Sequence, residues 1–271
     1  MALMSTHTAN ELGARGAKWL VPVNDAHRGL LVYVHGGSFL FGPSPLVMTL
    51  MKTLARASRM ALVMPAYRLA PEHPCPAAIN DIAAFFETLA RSGVASAKTV
   101  VTGEQTGANL TLAALQAGAG KTGFTPAALV FFSPWLDLTL SSWSSLINRF
   151  GISHAYSREF AELAVRLYLG TAPKSIAADD RRASPLLGPL DRIPASMMHA
   201  SESDISLDDA RNLHHRLKAG AVPSRLNIWP GVDHMWERYD LDYCKKSVRM
   251  SAAFIDEILY RENAPLKPAP N

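Results

Sequence analysis

Cysteine is nearly absent from this chain: Cys75 and Cys244 are the only two in 271 residues. Two thiols build no disulfide framework, and each reads as a packing residue in a reduced compartment, which points to the cytoplasm. No apolar run reaches the roughly 18 residues that a membrane span requires, so no membrane partner is expected. Residues 1–15 mix Ser, Thr, His, Asn and Glu and lack the apolar centre of a secretory leader. Clustered positive charge is missing as well. The net charge is +4, yet the densest basic pairs, Arg181-Arg182 and Lys245-Lys246, sit beside Asp179, Asp180, Asp240 and Asp242. Solvated surface explains such pairs, so a nucleic-acid footprint is not expected. The one close histidine pair, His214-His215, falls on a helical pattern where adjacent residues point apart, which supports neither a metal site nor a metal cofactor. Internal repeats and Gly/Ser-rich linkers are also lacking, so residues 1–271 read as a single domain.

What is present is apolar material in a regular rhythm; 48% of residues are hydrophobic, ample for a large core. Residues 17–23 read as an edge strand, because Pro22 cannot donate to a ladder. Residues 30–34 and 60–65 are continuous apolar runs of the kind buried on both faces of a parallel sheet. Further strands are expected at 98–102, 127–132, 195–200 and 225–229. Helical spacing predicts helices over 46–58 (Leu46, Leu50, Leu54 and Ala57 on one face), 77–91 (Ile79, Ile82, Phe86 and Leu89 inward), 207–219 and 241–260. Residues 141–182 break the rhythm. They hold one helical pattern (Phe160, Leu163, Ala164, Leu167) between polar segments and read as a lid or insertion. Strands alternating with helices argue an α/β fold with a mostly parallel sheet and helices on both faces.

In such sheets functional residues collect at the carboxyl ends of the strands. Val100 to Leu110 (VVTGEQTGANL) reads as strand, tight turn and helix, with Gly103 and Gly107 flanking the turn. That is the layout of a nucleophile elbow, G-x-S-x-G, with Gln105 where the serine would stand. Other strand ends carry His35-Gly36-Gly37-Ser38-Phe39, the run Tyr67 to Asp81 (YRLAPEHPCPAAIND), Ser201 to Asp209 (SESDISLDD) and Gly231-Val232-Asp233-His234.

In order and spacing, from about residue 17 to residue 258, these segments resemble the hormone-sensitive-lipase-like branch of the α/β-hydrolases, a family of many carboxylesterases. The resemblance implies that fold, with Asp204 as the acid and His234 as the base. It also implies an oxyanion hole of backbone amides from Gly36, Gly37 and Thr106, with a scaffolding role for Tyr67, Arg68 and Glu72. Ser38 replaces the last glycine of the family's HGGG, and Glu104, Gln105, Thr106 and Ala108 depart from its GDSAGGNL elbow. Only about sixteen residues precede the first strand, so a reduced cap and an open site are expected. Asp204 also has a simpler reading, as a cap for the helix beginning near Leu207. Ser38, Phe39 and Trp135 are the candidates for touching substrate, with Phe41 and Trp143 as further aromatic lining.

Gln105 decides the functional expectation. A carboxamide nitrogen is not nucleophilic, because its lone pair is delocalised into the carbonyl, so no familiar acyl-enzyme forms at this elbow. Three functions follow. One is a repurposed catalyst in which His234 with Asp204 is a general base, backbone amides hold an oxyanion, and Gln105 orients a small carbonyl or ester compound. The second is a non-catalytic protein that binds a small molecule in the old pocket. The third is an ester hydrolase using water or another nucleophile, such as Ser38 or a serine within 201–206. A homodimer through the helical face Val248, Ala252, Ile255 and Leu259 is a further expectation, although the same face also suits a core.

Overall fold

The computed structural model describes residues 16–22, 26–118, 123–142, 144–145, 157–171, 175–235 and 241–263. Trp143, residues 1–15 and much of the expected lid lie outside the described residues. Seven strands form one sheet: β1 (Lys18–Val21), β2 (Gly29–Val34), β3 (Met60–Met64), β4 (Thr99–Glu104), β5 (Ala128–Phe132), β6 (Ala195–Ser201) and β7 (Ser224–Trp229). Their order is β1-β3-β2-β4-β5-β6-β7. Only β1 runs antiparallel, against β3, and it is an edge strand as Pro22 foretold. The central strands β2, β3, β4 and β5 are buried along their whole length, which explains their unbroken apolar runs.

Among the described residues, six helices cover the two faces: α1 (Pro45–Ala57), α2 (Ala77–Arg91), α3 (Thr106–Gly118), α4 (Arg158–Leu169), α5 (Leu207–Ala219) and α6 (Leu241–Asn263). One hydrophobic core packs α2, α3, α4 and α5 on the sheet; the other packs α1 and α6 on its opposite face. The expected face of α1 is rotated in the fold. Leu46 is 56% exposed and Ala57 is exposed, while Val47, Leu50, Met51, Leu54 and Ala55 are buried. The same slip occurs in α4, which buries Ala161, Ala164, Val165, Tyr168 and Leu169 and leaves Leu163 exposed. In both helices several apolar residues competed for the stripe, and packing partners selected the narrower set. Val248, Ala252, Ile255 and Leu259 of α6 are buried in the second core, the other reading of that face.

The chain order creates a switch point. From β2 the chain moves outward to β3, then returns to lay β4 on the other side of β2. The loops after β2 and β4 therefore leave adjacent strands in divergent directions, and a crevice opens at their carboxyl ends. Val34, the last residue of β2, and Gly103, the next to last of β4, are register partners. Helix α4, inside the expected lid, leans on this end: the Tyr168 carbonyl accepts from the Cys75 amide at 2.8 Å. Among the described residues, no helix is long and apolar enough to cross a membrane.

Candidate active site

At the end of β4 the chain turns through Gln105, whose φ of +50° lies in the left-handed region. A side chain held there costs about 1–3 kcal/mol, so the surroundings must impose it. They do so at three points. The Gln105 amide donates to Phe132 O at 2.9 Å, and its carbonyl accepts from Trp135 N at 3.2 Å and Ala108 N at 3.3 Å. The glycines make the turn possible. A Cβ on Gly107 would stand 2.1 Å from Val34 O, and one on Gly103 would stand 2.8 Å from the Gly107 backbone. The strained elbow is thus complete, with a carboxamide at its tip.

Opposite it lies the loop after β2. His35 anchors that loop: its ring stacks on Tyr67 at 4.3 Å, and the Tyr67 hydroxyl donates to His35 O at 2.6 Å. Burial pushes the imidazole pKa down to about 4, against a smaller upward pull from the Gly36 carbonyl. Gly37, Ser38 and Phe39 all have positive φ, and the Gly37 carbonyl accepts from both Leu40 N and Phe41 N. Ser38 keeps the left-handed backbone that a glycine would adopt more readily.

The two loops meet through Gln105. Its Oε1 accepts hydrogen bonds from the amides of Gly37 at 3.1 Å and Ser38 at 3.0 Å. Its Nε2 donates to Ser38 Oγ at 3.3 Å. Of the expected donors Gly36, Gly37 and Thr106, Gly37 is one of the two amides that meet at Gln105 Oε1, and Ser38 is the other. Gly36 serves close packing, since a Cβ there would stand 2.6 Å from Glu104 O. Thr106 opens α3, and its buried hydroxyl has no hydrogen-bond partner among the described residues.

The candidate acid and base come from the neighbouring strands. Asp204 follows β6, His234 follows β7, and His234 Nδ1 lies 2.7 Å from Asp204 Oδ2. The other oxygen, Asp204 Oδ1, accepts from Ser206 N at 3.0 Å and Ser206 Oγ at 2.9 Å. Burial pushes this carboxyl up, but the attraction of His234 and the donors from His234 and Ser206 outweigh it, leaving Asp204 below the usual carboxylate range. Asp204 also serves the helix start, because Ser206, which donates to Oδ1, is the residue before α5; Oδ2 alone faces His234. Sequence reasoning missed the residues that hold the base. Ser201 Oγ and Ser203 Oγ both donate to Val232 O, and Glu202 Oε1 accepts from Gly231 N at 2.8 Å. The Ser-Glu-Ser run before Asp204 was their only signal. With their hydroxyls so engaged, Ser201, Ser203 and Ser206 act as braces.

Phe39 and Trp135, expected to touch substrate, are each 1% exposed. Phe39 stacks on Tyr168 with 3.7 Å between ring centroids, and the Trp135 indole donates to Asp137 O at 3.2 Å. They form the packed floor behind the loops, while Phe41 is exposed at the surface. Asp209 ties that floor down by accepting from Leu136 N at 2.6 Å and Asp137 N at 2.9 Å. Burial is the main reason its carboxyl lies well above the usual range, with Asp137 and Asp204 adding to it. Cys75 is buried and its thiol is pushed up to about 11, an inert packing residue. Among the described residues no group of three His, Cys, Asp or Glu is placed to hold a metal ion.

Comparison with known proteins places this arrangement. Residues 31–238 match a family described as the alpha/beta hydrolase fold. The chain is 30% identical over 241 residues to an acetyl-hydrolase of Streptomyces hygroscopicus, covering 88% of this chain and 79% of that protein. It is 31% identical over 214 residues to an esterase of Acinetobacter venetianus, covering 78% and 68% respectively. Among solved structures, an esterase from the bacterial hormone-sensitive lipase family superimposes with a TM-score of 0.80 at 28% identity, over 90% of this chain and 81% of the other. EstE5, soaked with p-nitrophenyl butyrate, does so with a TM-score of 0.79 at 29% identity and the same coverage. The chain belongs to the α/β-hydrolase fold family and is carboxylesterase-like in its architecture.

Proposed function

We propose that this chain is a carboxylesterase-like α/β-hydrolase that works without a serine nucleophile. His234, oriented by Asp204, is the general base toward a small carbonyl or ester compound. Gln105 is a hydrogen-bonding group at the old nucleophile position, and the Gly37 and Ser38 amides, beside the start of α3 at Thr106, are the oxyanion donors. The Asp204–His234 pair at 2.7 Å carries this reading. Burying an ionised carboxylate costs several kcal/mol unless it is fully paired, and the fold meets that cost with Ser206 on one oxygen and His234 on the other. The serines and Glu202 that steady the base loop serve the same geometry. A base so placed suits proton abstraction, elimination or water-mediated hydrolysis, none of which requires an acyl-enzyme.

A second reading, a non-catalytic binding protein for a small molecule, is favoured by one observation: the Gln105 oxygen sits on the amides that an oxyanion would need. Nitrophenol release from short acyl esters separates the two. Turnover by the purified protein that His234→Ala abolishes supports the general-base reading for ester substrates. Turnover that survives His234→Ala removes His234 from the mechanism. Absence of turnover in both, with ligand still bound, leaves the binding reading standing.

A further inference from the structure

The Gln105 side chain does more than fail as a nucleophile. Its carboxamide oxygen receives two backbone amides from one loop, at 3.1 and 3.0 Å, while its nitrogen reaches Ser38 Oγ on the same loop. The residue is buried, so these bonds form away from bulk water. We propose that Gln105 is a resident, displaceable ligand of the Gly37 and Ser38 amides, and that the site selects small monocarboxylates over neutral esters. The inference goes beyond the general-base reading, because it concerns what binds rather than what reacts.

Selection follows from competition. A ligand oxygen that reaches these amides must first expel the Gln105 oxygen. The built-in competitor is tethered, with an effective concentration of mM order or higher. An ester carbonyl is a weaker acceptor than a carboxamide carbonyl, so a neutral ester gains nothing by the exchange. An ionised oxygen makes charge-assisted bonds roughly twice as strong as neutral ones. It also gains from the positive end of α3, a 13-residue helix that begins at Thr106, the residue after Gln105. Two acids near these loops are already engaged by partners. Asp204 is paired with His234 and Ser206, and the Glu104 carboxyl accepts from Tyr33 at 3.2 Å under Gly36. Once released, the Gln105 amide N–H group becomes a further donor to the incoming carboxylate.

Isotope-labelled protein titrated with butyrate and with ethyl butyrate tests this through the Gly37 and Ser38 amide signals. Butyrate is expected to shift both signals saturably in the parent protein, with an affinity at least about tenfold above that for the ester. Gln105→Ala empties the amides and is expected to bind butyrate at least about tenfold more tightly than the parent, and to admit the ester. Gln105→Glu supplies the anion covalently and is expected to abolish butyrate binding while keeping a native spectrum. Should Gln105→Ala not fold, Gln105→Asn, which withdraws the oxygen by one methylene, replaces it with the same expectation. Equal affinity for ester and carboxylate in the parent, butyrate shifts that bypass these two amides, or unchanged binding in the shortened variants would each overturn the proposal. None of these readouts depends on turnover, so failure of the general-base reading is seen separately.

Discussion

Replacing Gln105 by serine changes two things at once: it restores a hydroxyl at the strained elbow and removes the carboxamide from the Gly37 and Ser38 amides. Gln105→Ser is therefore expected to hydrolyse short acyl nitrophenyl esters where the parent forms no acyl-enzyme. Adding His234→Ala should lower that gained rate by about 10² or more, the usual contribution of a positioned general base. A Gln105→Ser protein that stays inactive, yet binds substrate, would show that Ser38 or the floor has drifted too far for the chemistry. The same scale explains why Ser38, and not Gly36, donates to Gln105. The lack of a side chain at Gly36 serves contact with Glu104. Which amide points into the crevice depends on φ at Gly37, Ser38 and Phe39, which the residue names do not specify.

Elements position these residues through close approach. Helix α3 reaches β2 only because Gly107 has no Cβ, the nearest obstacle being Val34 O at 2.1 Å. Gly107→Ala is expected to lower stability by about 2 kcal/mol or more, since the added methyl meets backbone and not a flexible side chain; urea unfolding measures it. Helix α6 makes a different statement. Ile255 is fully buried in the second core, so Ile255→Ala should cost about 2–5 kcal/mol, read as a lower unfolding midpoint. If Ile255→Ala instead altered oligomeric mass with stability unchanged, that face would be an interface after all. The helical periodicity was sound for both elements, but periodicity offers no vote between adjacent apolar stripes. In α1 the stripe with Val47 and Met51 won over the one with Leu46 and Ala57 because the sheet lies on that side.

For the whole molecule, buried histidines dominate the response to acid. Burial holds His35 at about 4 and His199 at about 3, both below the unfolded value near 6.5. A folded pKa below the unfolded one means that the stabilising contribution is complete above pH about 6.5. It is lost as pH falls toward the folded values, at up to about 1.4 kcal/mol per pH unit for each group. Asp209 works in the opposite direction: with its folded pKa raised, its contribution is favourable at low pH and declines as pH rises through the unfolded value near 4. Asp204, with a lowered folded pKa, adds a loss confined to pH below its unfolded value near 4. Two histidines against one aspartate leave a net fall in unfolding free energy between pH about 6.5 and 4. Denaturant unfolding at stepped pH should show it, and Asp209→Asn should steepen it. A flat profile would mean that the imidazoles are hydrated in the fold.

The sequence by itself determined the alternation of strands and helices, the edge position of β1, and the chain order of elbow, acid and base. These are local or pattern-borne: apolar runs, periodicity, and glycines at fixed offsets carry them, and each is legible before any contact is known. It also determined that the tip of the elbow carries no hydroxyl, since Gln105 stands midway between Gly103 and Gly107. The tertiary structure alone decided what that letter does. Gln105 meets Gly37 and Ser38 across 67 or 68 positions of chain, and Ser201, Ser203 and Glu202 meet the base loop across about thirty. Such contacts depend on which strands lie side by side and how far each loop reaches, so they have no periodicity to read. The elbow is intact, and its tip lies on the very amides that a ligand would have to claim.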